Sequence, residues 1–206
     1  MNINVKSIRN YFLWTVLFVL LVLGMSKWKY PSLSVIKVGI LHSQTGTMAL
    51  SEKPVINAGL LAIKELNESG GLLGQTIEAI VIDGESDNAV FAKQVERLIV
   101  EEKVDAIFGC WTSACRKAVR PIVEKYQHIL FYPLQYEGLE QSPNIIYTGA
   151  VPNQQIIPAI NWTLQNLGKR LFLVASDYIF PQAANQIIHD ITDQKGAEIV
   201  GEHYIP

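Results

Sequence analysis

Ile107 to Val119 reads IFGCWTSACRKAV, and it is answered by Phe131 to Gly138, FYPLQYEG. Each opens with a short apolar run of the kind that forms a buried strand, then breaks into residues able to hydrogen-bond and stack. In an open α/β sheet the loops beyond the carboxyl ends of the strands are where side chains converge without filling the core, so these two loops predict a small-molecule pocket.

Outward from this pair the chain alternates strand and helix patterns. Val35–Leu41 is a strand followed by the polar loop from His42 to Thr47. Pro54 opens a helix with Ile56, Leu60 and Ile63 at helical spacing, stopped by Gly70-Gly71. Ile77–Ile82 is a second strand, leading to Asp83-Gly84, which read as a turn. Phe91, Val95, Leu98 and Ile99 mark the next helix. Ala106–Gly109 is the third strand, and the helix after it carries Val119, Ile122, Val123 and Tyr126 on one face, with a kink or break expected at Pro121. Ile129–Tyr132 and Ile145–Thr148 are the fourth and fifth strands, separated by a long loop.

Strands joined by crossover helices imply a parallel sheet covered on both faces, and therefore an α/β fold. Residues 34–149 make one complete lobe. From 150 to 206 the pattern starts again: a helix over Pro158–Leu167, a strand over Leu171–Ser176, a helix from Gln182 to Lys195 closed by Gly196, and a strand over Glu198–Tyr204. One such unit cannot cover both faces of its own sheet, so the second lobe reads as incomplete, and weak ligand binding or none is expected of this chain by itself.

The first thirty residues differ in kind. Behind Lys6 and Arg9, Tyr11 to Met25 is uniformly apolar, shorter than the roughly twenty residues that span a bilayer comfortably, and no small-x-small cleavage site follows it. This predicts an uncleaved signal anchor, with the remaining domain in the periplasm or outside the cell. A formal charge of −2 with scattered Lys and Arg offers no basic stripe, so no nucleic-acid partner is expected. The histidines form no ligand spacing and no cofactor motif occurs, so neither metal nor cofactor is expected. Cys110 and Cys115 match neither a CxxC pair nor a disulfide framework; Cys110 is expected to be a small buried hydrophobe and Cys115 to face the surroundings of its helix. A nucleophilic role for Cys110 lacks a specified base, so the residues point to no catalytic site.

GCWTSACRKAV, YPLQYEG, YTGAVPNQQ and SDYIFP, in this order and at these separations, resemble the type I periplasmic binding protein family, and within it the branch that binds urea and short aliphatic amides. GILHSQTGTMALSE and ELNESGGLLG fit the same branch. The resemblance implies two α/β lobes closing on a ligand, with Trp111, Ser113, Tyr132, Tyr136 and Tyr178 in the pocket. Amide-sensing relatives carry tyrosine at the positions of Trp111 and Phe180 and a small polar residue at that of Leu134. Urea-transport relatives share the tryptophan and the run Gln135-Tyr136-Glu137-Gly138, so urea is the expected ligand.

Urea needs donors for one carbonyl, acceptors for two NH₂ groups, and flat walls. Thr112 and Ser113 hydroxyls are placed toward the carbonyl; Glu137 and Asp177 toward the amides; Trp111, Tyr132 and Tyr178 as walls. The residues taken without the resemblance have plainer readings: Ser113 as a helix N-cap, Glu137 and Asp177 as loop carboxylates. The resemblance implies an ABC importer's receptor with permease subunits as partners; a sensor domain of a membrane-anchored signalling protein and a branched-chain amino-acid-binding relative are the alternatives.

Overall fold

A computed structural model describes residues 35–205. The predicted signal anchor lies outside them. Among the described residues no helix is long and apolar enough to cross a membrane.

The described residues form seven strands and five helices, alternating except where β5 follows β4 directly: β1 (Ile36–His42), α1 (Ala49–Glu68), β2 (Ile77–Asp83), α2 (Asn88–Val100), β3 (Ala106–Gly109), α3 (Ser113–Lys125), β4 (Leu130–Tyr132), β5 (Ile145–Tyr147), α4 (Ile156–Asn166), β6 (Arg170–Ser176), α5 (Ile179–Lys195) and β7 (Glu198–Ile205). The first five strands form one parallel sheet in the order β2-β1-β3-β4-β5; β6 and β7 form a parallel pair. The chain leaves β1 for one neighbour and returns to its other side with β3. The switch in direction therefore lies between the carboxyl ends of β1 and β3, the position at which open α/β sheets leave a crevice.

The core sits on one face of the large sheet. Leu41, Ile107, Leu130 and Ile145 meet Phe91, Val95 and Leu98 of α2 and Val119 and Val123 of α3, all buried. On the other face α1 packs on β1 and β2. The alternate residues of β3 and β5, Phe108 and Ile146, are each 40% exposed, and Phe108 stacks on Phe131 of β4 at 4.7 Å.

Three elements depart from the sequence expectation. Helix α1 starts at Ala49, so Pro54 lies inside it rather than opening it. Helix α3 runs unbroken through Pro121. The lost backbone bond and ring clash at Pro121 are offset by Val119 and Val123, fully buried on either side of it. Helix α5 starts at Ile179, with Pro181 in its first turn, where a backbone N–H has no helical partner to lose.

The cysteines are the clearest correction: Cys110 and Cys115 form a disulfide. Cys110, just after β3, is in a left-handed conformation, φ +65°, and Cys115 lies in the first turn of α3. That reversal brings their Cα atoms to 5.6 Å, inside disulfide range. Cys115 is buried rather than facing the helix surroundings.

Candidate functional site

The site is assembled at the carboxyl ends of β3 and β4. The disulfide spans Trp111, Thr112 and Ser113. Thr112, extended and just outside α3, caps the helix by accepting from the Cys115 N–H at 3.1 Å. The capping role weighed for Ser113 thus falls to Thr112. Ser113 becomes the first helical residue and turns inward, 2% exposed.

What Ser113 meets there is Arg116, one helical turn on and fully buried. The guanidinium donates from Nε to Glu140 Oε1 at 2.8 Å, from one terminal nitrogen to Glu137 Oε1 at 2.9 Å and from the other to Ser113 Oγ at 3.0 Å. Its carbon lies 4.8 Å from the Tyr132 ring centroid and 5.1 Å from that of Tyr136. Tyr136 in turn stacks on Tyr147 at 4.5 Å. Both glutamates reach one arginine because Gly138 and Leu139 between them are left-handed, φ +71° and +57°. This sends the Leu139 side chain out into solvent and returns Glu140 inward. Gly149 holds the same loop close, since a Cβ there would collide with the Leu134 carbonyl.

Charge follows from these contacts. Burial alone would depress the Arg116 guanidinium, but its bond to Glu140 and the charges of Glu137 and Glu140 raise it. Burial would raise Glu140; bonds from Arg116, Lys117 and Tyr147 outweigh that and bring it down to about 2. Burial pushes Tyr132 up to about 12, and pushes Tyr147 up with help from its bond to Glu140.

The hydrogen-bond directions are forced. Arg116 only donates and a carboxylate only accepts, so Ser113, between them, donates to Glu137 Oε2 at 2.6 Å and accepts from Arg116. Tyr132 likewise donates its hydroxyl proton to the Trp111 carbonyl at 2.8 Å. Both hydroxyls have spent their donors within the protein; the Tyr132 oxygen is also bonded by Arg116 and Ser113, so the accepting capacity that is left lies with Ser113 and Glu137. Thr112 is the reverse: its oxygen takes the Cys115 N–H and its own proton remains to give.

Ser113, Tyr132, Tyr136 and Glu137 are thus brought into one network. Trp111, Thr112 and Tyr178 are partly buried beside it. Tyr178 begins α5, which touches α3; burial raises its hydroxyl, and the negative Glu137 adds to the effect. Gln135 is exposed, contributing its carbonyl at 3.4 Å to Tyr132. Asp177 is exposed and accepts from Gln182 at 2.7 Å. Arg116, Glu140 and Tyr147 were not foreseen. Their signals were the Ser-x-x-Arg spacing on a helix face and the Glu-x-x-Glu spacing across a Gly-Leu turn.

Two further features flank the site. At the neighbouring end of β1, the buried His42 Nδ1 lies 2.8 Å from Glu52 Oε2, which also accepts the Ser43 N–H at 2.9 Å. On the far side of the network an open groove of about 500 Å³ runs past Tyr136, Glu140, Ser142, Pro143 and Tyr147. Of the residues predicted for the pocket, Tyr136 alone lines it.

The family model of the periplasmic binding protein domain matches residues 36–206. The chain belongs to the periplasmic binding protein family. Among solved structures it is similar to a solute-binding protein of an ABC transporter from Rhodopseudomonas palustris BisB5 in complex with 3,4-dihydroxybenzoic acid. That match has 26% identity and a TM-score of 0.77, over 84% of this chain and 47% of that one. The branched-chain amino acid transporter substrate-binding protein LivJ from Streptococcus pneumoniae, in complex with isoleucine, matches at 21% identity and a TM-score of 0.71, over 84% and 50%. The leucine-binding protein LivK from Thermotoga maritima matches at 22% and 0.73, over 82% and 49%. The chain spans about half the length of these structures.

Proposed function

We propose that this periplasmic-binding-protein domain is part of an extracytoplasmic solute receptor for urea or a short-chain amide, serving an ABC-type importer. The observation that carries the ligand is the polarity of the wall formed by Ser113 and Glu137 over Tyr132: it presents acceptors whose donors are already committed. Such a wall suits the NH₂ groups of a small neutral amide, with the Thr112 proton and the first N–H groups of α3 left for its carbonyl oxygen. A carboxylate would face Glu137 with no free hydroxyl donor from Ser113 or Tyr132 to offset the repulsion.

Tyr178, at the start of α5, supplies the facing surface. Since Ser113 and Glu137 are only 2% and 3% exposed, entry requires the α5 side to part from α3 and close again behind the ligand. The ABC assignment rests on the family and on the transporter components among its structural neighbours. The disulfide supports the location, because such bonds persist in oxidising compartments, and it leaves Cys110 without a thiol to act as a nucleophile. Calorimetry with urea, acetamide, leucine and 3,4-dihydroxybenzoate tests the reading. At millimolar ligand, weak heat with urea or acetamide is expected at most from this chain by itself, and heat with leucine or the aromatic acid alone would overturn the reading.

A further inference from the structure

We propose that Arg116 is the positioning residue that sets the hydrogen-bond polarity of this wall, and so determines that the domain selects small N–H donors over carboxylates of the same size. The proposal rests on the reading that the ligand sits against Ser113 and Glu137, and it adds the residue that enforces the choice without touching the ligand.

A serine hydroxyl beside a carboxylate is ordinarily free to rotate between donating to it and donating elsewhere. Ser113 has lost that freedom. Arg116 brings an N–H to within 3.0 Å of Oγ, and a guanidinium has no lone pair to receive a proton, so the hydroxyl is driven onto Glu137 Oε2 at 2.6 Å. The same cation holds Glu137 through its other oxygen at 2.9 Å, which fixes the carboxylate plane that Ser113 must meet. The arginine is itself held. Glu140 takes its Nε, and Tyr132 and Tyr136 lie against it. Glu140 also takes Lys117 at 3.0 Å and the Tyr147 hydroxyl at 2.8 Å. Three bonds in one plane from one group are within reach of a guanidinium and beyond the single ammonium of a lysine, so Arg116→Lys keeps the charge and releases the geometry.

The test measures urea against acetate, a planar carboxylate of the same size, by calorimetry on the full chain. In the native protein urea binds and acetate is rejected. In Arg116→Lys the urea-to-acetate preference falls at least about tenfold, because Ser113 regains a donor. In Ser113→Ala, adding Arg116→Lys changes the preference little, since the arginine acts through the hydroxyl that is gone. Equal weakening toward both ligands in Arg116→Lys, or additive effects in the double variant, would reduce Arg116 to a structural role and overturn the proposal. Acetate binding with no urea binding in the native chain is the result that fails the urea reading; where neither binds at millimolar concentration, the lock is tested by itself. The lock is then read from the Arg116 side-chain N–H resonances, which are separate and slow to exchange when all three bonds are held. Averaged resonances in the native protein would overturn it.

Discussion

The two sheets of this molecule are built from the same kind of strand and end in opposite conditions. In the five-stranded sheet, Ile107 and Leu130 are fully buried beneath α2 and α3. In the β6–β7 pair, α5 packs on the strands, yet Phe172 and Val174 are 60% and 61% exposed. Equal apolarity does not give equal burial; what differs is whether a helix lies over the face. Stability is therefore concentrated in the first sheet, and the candidate site is anchored there, while Tyr178 is carried by the more exposed unit.

The largest effect expected from breaking this contrast is at Arg116. Arg116→Ala leaves Glu137 and Glu140 buried without their partner, and should destabilise the first unit by about 3–5 kcal/mol in denaturant unfolding. Acid should act on the same network. Glu140 is held at about 2 against an ordinary 4.5, so the stability it contributes is present above pH 4.5 and is lost as pH falls toward 2. Melting temperature followed down that range should drop steeply in the native protein and less in Glu140→Gln.

Next in size, replacing both cysteines by alanine opens a short loop in the buried core and should cost about 2 kcal/mol, with increased mobility at Trp111 readable by fluorescence anisotropy. Smallest is the surface of the exposed pair: Val174→Thr should change stability by less than about 0.5 kcal/mol, whereas Leu130→Ala should cost about 2–5 kcal/mol. Similar costs at Val174 and Leu130 would contradict the contrast.

The alternation of strands and helices was legible because it depends on local spacing: apolar runs at period two or none, helical faces at Phe91, Val95 and Leu98, and glycines closing helices. Pro121 misled because propensity is local, while the burial of Val119 and Val123 that carries α3 past it is not. The cysteine pair misled for a related reason. Their separation in sequence says nothing of the left-handed turn at Cys110 that brings them together.

In the site, loop position pointed to the ends of the third and fourth strands and the resemblance named the residues there; the structure brings Ser113, Tyr132, Tyr136 and Glu137 into one network. Arg116 looked like one more surface cation until a loop more than twenty residues away folded two glutamates onto it. Asp177 and Gln135 read as ligand groups from their neighbours in sequence, yet both lie on the surface.

The most direct measurement is a crystal structure of the protein grown with urea. The account predicts density between Trp111 and Tyr178, with a urea nitrogen within about 3 Å of Ser113 Oγ or a Glu137 oxygen and the carbonyl oxygen directed to the start of α3. Urea seated instead in the groove beside Ser142 and Pro143, or turned with its carbonyl toward Glu137, would contradict it.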